Sequence, residues 1–190
     1  DLTDGYEFSK SLIGSSEEFE VLTIANAQTG DYQPNDSIRF TQGFYNYYSY
    51  DDGSAEAAFG PTGTQSRLAI HFEAYEADSL IGIDFSFVPS VYDVSDKLFL
   101  VTVWEDDNGN PGNVLYEDDV FSPRSPVYSN AENVFVPYYF TDTVKIAAET
   151  SFFVGWRQLD PERLNLGLDR NIDNSDEIFY SVDGGVSWLI

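Results

Sequence analysis

The sequence predicts an all-β fold, a two-sheet antiparallel β-sandwich of jelly-roll type, from three observations. Apolar residues recur with period two in most hydrophobic runs. Clusters of Gly, Pro, Asn and Asp interrupt those runs at short intervals, and no segment sustains a helical period for three turns. About a dozen short strands at such spacing belong to a sandwich.

In chain order, Phe19–Ile24 reads as the first strand, and Gly30-Asp31-Tyr32-Gln33-Pro34-Asn35-Asp36 as a breaker-rich loop. A boundary therefore falls near Asp36–Tyr45. Residues 1–40 are read as a connector or the terminal strands of a preceding β module, and 41–190 as the sandwich. In Leu68–Ala74, the side chains of Leu68, Ile70, Phe72 and Ala74 share one face, with Ala69, His71 and Glu73 on the other. Ile81–Phe87, Lys97–Trp104, Asn133–Val136, Ser151–Trp156 and Glu177–Val182 follow the same rule, rich in Val, Ile, Tyr and Phe. After Trp104 a turn leads to a strand near Val114–Val120. Pro111 pre-sets φ for the second position of a type II turn there, and Gly112 suits the positive φ of the third. Asp183-Gly184-Gly185 predicts a tight hairpin between Ile178–Val182 and Val186–Leu189.

Composition narrows the function. The chain of 190 residues carries 33 Asp+Glu against 9 Lys+Arg, a formal charge of −24. Nucleic-acid binders gain affinity by neutralising phosphates with basic side chains, so the charge argues against that class and disfavours adhesion to anionic membranes. Hydrophobic residues at 42% and aromatics at 16% set it apart from a disordered acidic tail. No apolar run approaches the roughly 20 residues of a membrane-spanning helix, so no membrane insertion is expected. Without cysteine there is neither a disulfide nor a thiolate site. A chain that starts at Asp1 and contains no Met reads as a piece of something longer. The acidic, aromatic-rich composition with Asn/Asp/Gly loops points to an extracellular or cell-surface setting.

The residues for catalysis are sparse. His71 is the single histidine, mid-strand beside Glu73, and reads as a surface or partly satisfied side chain. That removes most support for zinc chemistry and for Ser-His or Cys-His triads. With 33 acids, pairs of carboxylates carry no information about glycosidase chemistry. The acidic loops suit Ca²⁺, which takes six to eight oxygen ligands. Asp51, Asp52 and Glu56 form one candidate set. Asp106, Asn108 and Asn110 form another, alternating like the start of an EF-hand loop with Glu117 at its twelfth position. Pro111 in place of the required Gly and the flanking strands argue against the EF-hand itself. Asp169, Asp173, Asp176 and Glu177 form a third cluster. Among the aromatics, Tyr45 and Tyr47 share one strand face and Tyr48 and Tyr50 the other. Tyr48, Tyr50 and Trp104 are the candidates for a platform on which sugar rings stack, against the plainer reading that large aromatics fill the core.

Four segments carry a resemblance. Asn35–Phe40 with Tyr47–Glu56, Val103–Gly112, Phe153–Gln158 and Asn165–Asn171 stand in the same order as in a region of large secreted Bacteroidota proteins. That region precedes a C-terminal type IX secretion sorting domain. The resemblance covers about residues 31–188 and implies a non-catalytic, export-linked β-sandwich. It also implies that residues 1–40 end a preceding immunoglobulin-like module, and that the sorting domain lies outside this chain. The expected function is a structural, adhesive or presentation role on a secreted surface protein, with a carbohydrate-binding module as the alternative. Expected partners are other domains of the same protein and a cell-surface polysaccharide or protein.

Overall fold

The structure, a computed structural model, describes residues 16–24, 37–51, 53–89, 92–129, 131 and 134–190. The chain divides into two compact units, Asp1–Ser49 and Tyr50–Ile190. This boundary falls later than residue 40, because Ser37–Tyr45 pairs back on Ser16–Ile24; the loop read from Gly30–Asp36 lies outside the described residues. In the first unit β1 (Ser16–Ile24) and β2 (Ser37–Tyr45) form an antiparallel ribbon, in continuous register from Ser16 opposite Tyr45 to Ile24 opposite Ser37. Arg39 pairs with Glu20 across it, and the Tyr45 hydroxyl donates to Glu18 Oε1 at 3.2 Å.

The second unit contains β3 (Ala57–Phe59), β4 (Arg67–Ala74), β5 (Asp78–Phe85), β6 (Phe99–Asp106) and β7 (Pro111–Glu117). These are followed by β8 (Val136–Ile146), β9 (Thr150–Gln158), β10 (Leu166–Leu168) and β11 (Ile178–Ser181). A five-stranded antiparallel sheet runs β11-β4-β9-β6-β7, with β5-β8 and β10-β3 as two-stranded sheets. The all-β sandwich predicted from period two is therefore what the chain forms. Among the described residues no helix is long and apolar enough to cross a membrane.

The main core lies between the five-stranded sheet and β5-β8. Leu68, Phe99, Val101 and Trp156 project from one side, Phe85 and Tyr138 from the other, with Phe87, Val94 and Leu164 from connecting segments. Trp156 meets Phe85 edge-on, with ring centroids 5.2 Å apart. Such edge-to-face pairs add about 0.5–1.5 kcal/mol beyond area burial. The opposite face of the large sheet is buried too. Ala69, Trp104, Phe153 and Phe179 form a second cluster, and Trp188 of the C-terminal segment packs on it. Trp188 sits T-shaped on Trp104 at 5.7 Å.

Three local expectations are corrected. The β6–β7 turn is not at Pro111-Gly112. Asn108 (φ 54°) and Gly109 (φ 83°) occupy its centre, closed by Asp107 N–H to Asn110 O at 2.8 Å and the reverse bond at 3.3 Å. Two successive positive φ values make this a type I′ turn, whose twist matches the flanking strands. Pro111 instead opens β7, an edge strand where a missing N–H is tolerated. Val136 begins β8 rather than ending a strand, and Pro137 sits inside β8, which pairs only with β5. The C-terminal hairpin is also wider than a tight turn. Tyr180 and Leu189 exchange both backbone hydrogen bonds at 2.9 Å, and a loop fills the interval.

Trp156→Ala, which empties the centre of the main core, should lower unfolding free energy by about 3–5 kcal/mol. Val114→Ala, on a half-exposed edge-strand position, should stay within about 0.5 kcal/mol. Urea denaturation of both variants measures the contrast, and equal losses would contradict this placement of the core.

Candidate functional site

The residues singled out from the sequence do not gather at one place. Trp104, a candidate for the sugar platform, is wholly buried. This corrects the expectation: a strand covered on one face would expose alternate side chains, but β6 is covered on both, so Phe99 to Trp104 are all buried. Tyr50 is half-buried, with its ring stacked on Phe72 at 5.1 Å and 5°. Desolvation, aided by the charge of Glu177, pushes its phenol up to about 12. Tyr48 is half-buried as well.

The acidic candidates are engaged in loop structure. Asp52 lies outside the described residues, and Asp51 Oδ1 accepts the Gly53 N–H at 2.9 Å. Glu56 accepts from the Ser54 hydroxyl at 2.8 Å, the Arg170 N–H at 3.0 Å and the Asn171 side-chain amide at 3.2 Å. Its carboxylate thus ties the segment before β3 to the loop after β10. Asp106 Oδ1 accepts the Gly109 N–H at 2.7 Å, and the Asn108 amide donates to Asp107 at 2.7 Å. The Asn110 backbone closes the same turn. Asp169 and Asp173 accept backbone N–H groups two residues on, at 2.6 and 3.2 Å. Among the described residues no group of three or more His, Asp or Glu side chains is placed to hold a metal ion. The hydrogen bonds at these loops add no support to the Ca²⁺ expectation.

His71 faces the second apolar cluster rather than solvent alone. Its Nδ1 lies 2.5 Å from Glu177 Oε2, and its ring is 4.9 Å from that of Phe153. Glu177 comes from the 3-10 turn Ser175–Glu177, so the third acidic cluster supplies a partner for the only histidine.

Sequence reading missed three polar constellations. Arg67 and Arg157 stand opposite each other on β4 and β9. Glu117 on edge strand β7 clamps Arg157 through two bonds, at 3.0 Å to Nε and 2.6 Å to Nη2. Gln65 accepts from its third nitrogen at 2.7 Å. Asp118, nearly inaccessible, binds Arg124 at 3.2 Å, the Val101 N–H at 3.0 Å and the Tyr116 hydroxyl at 2.8 Å. The Ser181-Val182-Asp183-Gly184-Gly185-Val186-Ser187 segment is organised by Asp183. Its carboxylate accepts the Ser181 and Ser187 hydroxyls at 2.7 and 2.6 Å and the Val186 and Ser187 N–H groups at 3.1 and 3.0 Å. Those donors, the Ser187 hydroxyl foremost, hold the Asp183 carboxyl well below the usual carboxylate range. Positive φ at Gly184 and Gly185 turns the backbone, and Arg67 Nη1 lies so close to Gly185 that a Cβ there would stand 2.4 Å away. The Ser–Asp–Gly–Gly–Ser spacing carries this signal beyond the hairpin that it predicts.

A cleft of about 310 Å³ opens elsewhere in the second unit, between the Tyr92–Val94 segment and the Pro161–Asn165 segment after β9. None of the residues chosen from the sequence lines it.

Two predictions follow from these ties. Asp183 has a lowered folded-state pKa, so its stabilisation is complete above the ordinary carboxylate value near 4. That stabilisation is lost as pH falls through the lowered value. Tryptophan fluorescence should therefore report loss of Trp188 packing only well below pH 4 in the natural sequence. Asp183→Asn should melt at a lower temperature already at pH 7, and an unchanged acid profile in that variant would assign the transition to other groups. Glu117→Gln, which leaves Arg157 beside Arg67 without its carboxylate, should cost about 1.5–3 kcal/mol. Combined with Arg157→Gln, the loss should be smaller than the sum of the two single losses in a double-mutant cycle. No known protein family, curated protein or solved structure matches this chain.

Proposed function

We propose that this chain is a non-catalytic β-sandwich module of a secreted, surface-located multidomain protein, with a structural, adhesive or presentation role. One observation carries the reading: the charged groups on the large sheet and its loops are engaged in holding strands and turns together. Arg157–Glu117 joins β9 to β7, Arg124–Asp118 anchors the segment after β7, and Asp183 folds the cap carrying Trp188. Such groups act as fasteners, and their mutual hydrogen bonds leave them poorly placed to move protons on a substrate. The net charge of −24 suits a module that stays soluble and apart from its copies in an extracellular medium. The jelly-roll topology, the immunoglobulin-like module before it and the type IX export route belong to this proposal through the resemblance of the sequence. Attachment to a polysaccharide-active enzyme is the second reading, favoured by the cleft bordered by Tyr92.

Two measurements test it. Antibody labelling of intact cells of the source organism, with and without surface proteolysis, should place the module outside the outer membrane. The purified chain should show no turnover of chromogenic glycosides, esters or peptides above buffer. Internal localisation, or turnover abolished by one carboxylate substitution, would overturn the proposal.

A further inference from the structure

We propose that the cleft beside Tyr92 binds a single neutral sugar residue through a pair of vicinal hydroxyls. Four features of its wall point there, and none depends on the scaffold role. The Tyr92 ring is half-exposed at the rim, with Val94 and Pro161 also lining the cleft. Together they offer an apolar surface to the C–H face of a ring. Glu162 contributes a carboxylate: Oε1 is 3.8 Å from Lys97 Nζ, beyond hydrogen-bond distance, and Oε2 is buried without a hydrogen-bond partner. The Glu162 side chain keeps 31% of its surface exposed, so it can turn a carboxylate oxygen toward a donor on a ligand in the cleft. Arg163, the next residue, uses its Nε on the Thr62 hydroxyl at 3.2 Å, and its terminal nitrogens have no partner among the described residues. The Asn165 side chain completes the wall with a donor and an acceptor in one group, on a residue that is largely buried.

The combination selects a ligand class. A carboxylate and a guanidinium on one wall disfavour both a free anion and a free cation, each of which would meet a like charge. A hydroxyl satisfies both, since its O–H donates to Glu162 while its oxygen accepts from Arg163. A neighbouring hydroxyl can do the same with Asn165. The volume of about 310 Å³ stands at the small end of ligand sites, which run from about 300 to 1,000 Å³, and suits one ring rather than a chain.

The test is saturation-transfer NMR on the full chain with the methyl glycosides of glucose, galactose, mannose and fucose. Glycerol and methyl glucuronide serve as controls. At least one neutral glycoside should receive saturation through its ring C–H protons, and methyl glucuronide should bind at least tenfold more weakly. Tyr92→Ala and Glu162→Gln should each weaken that binding at least tenfold with an unchanged melting midpoint. Should either variant lose stability, Thr62→Val, milder and at the same wall, should weaken it severalfold. No transfer to any neutral glycoside, equal binding of the glucuronide, or binding unaffected by all three substitutions would overturn the proposal. The scaffold reading would survive any of those results, because it predicts surface location and absence of turnover, not ligand binding.

Discussion

The burial of both faces of β6 and β9 is the constraint on which the rest of the second unit depends. One face of these strands meets β5-β8 through Trp156, Phe99 and Val101, and the other carries Trp104 and Phe153 beneath Trp188. A strand covered twice contributes nearly all its side chains to the core, which is why β6 reads buried from Phe99 to Trp104. Large rings on the second face need small neighbours, and Ala69 and Gly155 stand opposite each other in the adjacent cross-strand pair. At Gly155 a Cβ would lie 1.9 Å from the Leu68 carbonyl oxygen, so the close approach of β4 and β9 there admits only glycine. Covering the second face also requires the C-terminal segment to return across the sheet. Asp183 and the paired Tyr180 and Leu189 backbones perform that return.

The same constraint shapes the electrostatics. With 33 acids and 9 basic residues, repulsion opposes compaction throughout. The chain places several of its few cations where they hold the most structure. Arg157 bridges the central strand β9 to the edge strand β7, and Arg124 joins Asp118 while donating to the Tyr139 carbonyl of β8 at 3.0 Å. Many remaining carboxylates accept backbone N–H groups within their own loops, as Asp51, Asp106, Asp169 and Asp183 do. Such bonds favour the charged form and rigidify turns without needing a counter-cation. The acidic clusters are thus a turn-building device, which accounts for their spacing without requiring that they converge on an ion.

The cleft beside Tyr92 differs from these fasteners in having polar atoms left over. Glu162 and Arg163 follow a stretch whose backbone is fixed by Gln158, whose amide donates to the Gly63 carbonyl at 2.6 Å and also reaches the carbonyls of Asp160 and Glu162. A loop pinned in this way would need little further ordering to bind the ligand proposed above.

Period two, turn residues and composition by themselves determined the all-β class and most strand positions in the second unit. Alternation and charge are local or additive properties, and they survive without knowledge of partners. Whether a strand is covered once or twice is not local, so only the tertiary structure decided that Trp104 is core and that His71 meets Glu177. Edge position is likewise a property of the assembled sheet, and it alone lets Pro111 and Pro137 sit within strands. The choice of Asn108-Gly109 over Pro111-Gly112 as the turn was open in the sequence, since both pairs are turn formers, and the register of β6 against β7 settled it. The cleft was illegible for the same reason: Thr62, Tyr92 and Glu162 are far apart along the chain, and only the packing of the loops around β9 brings them to one wall.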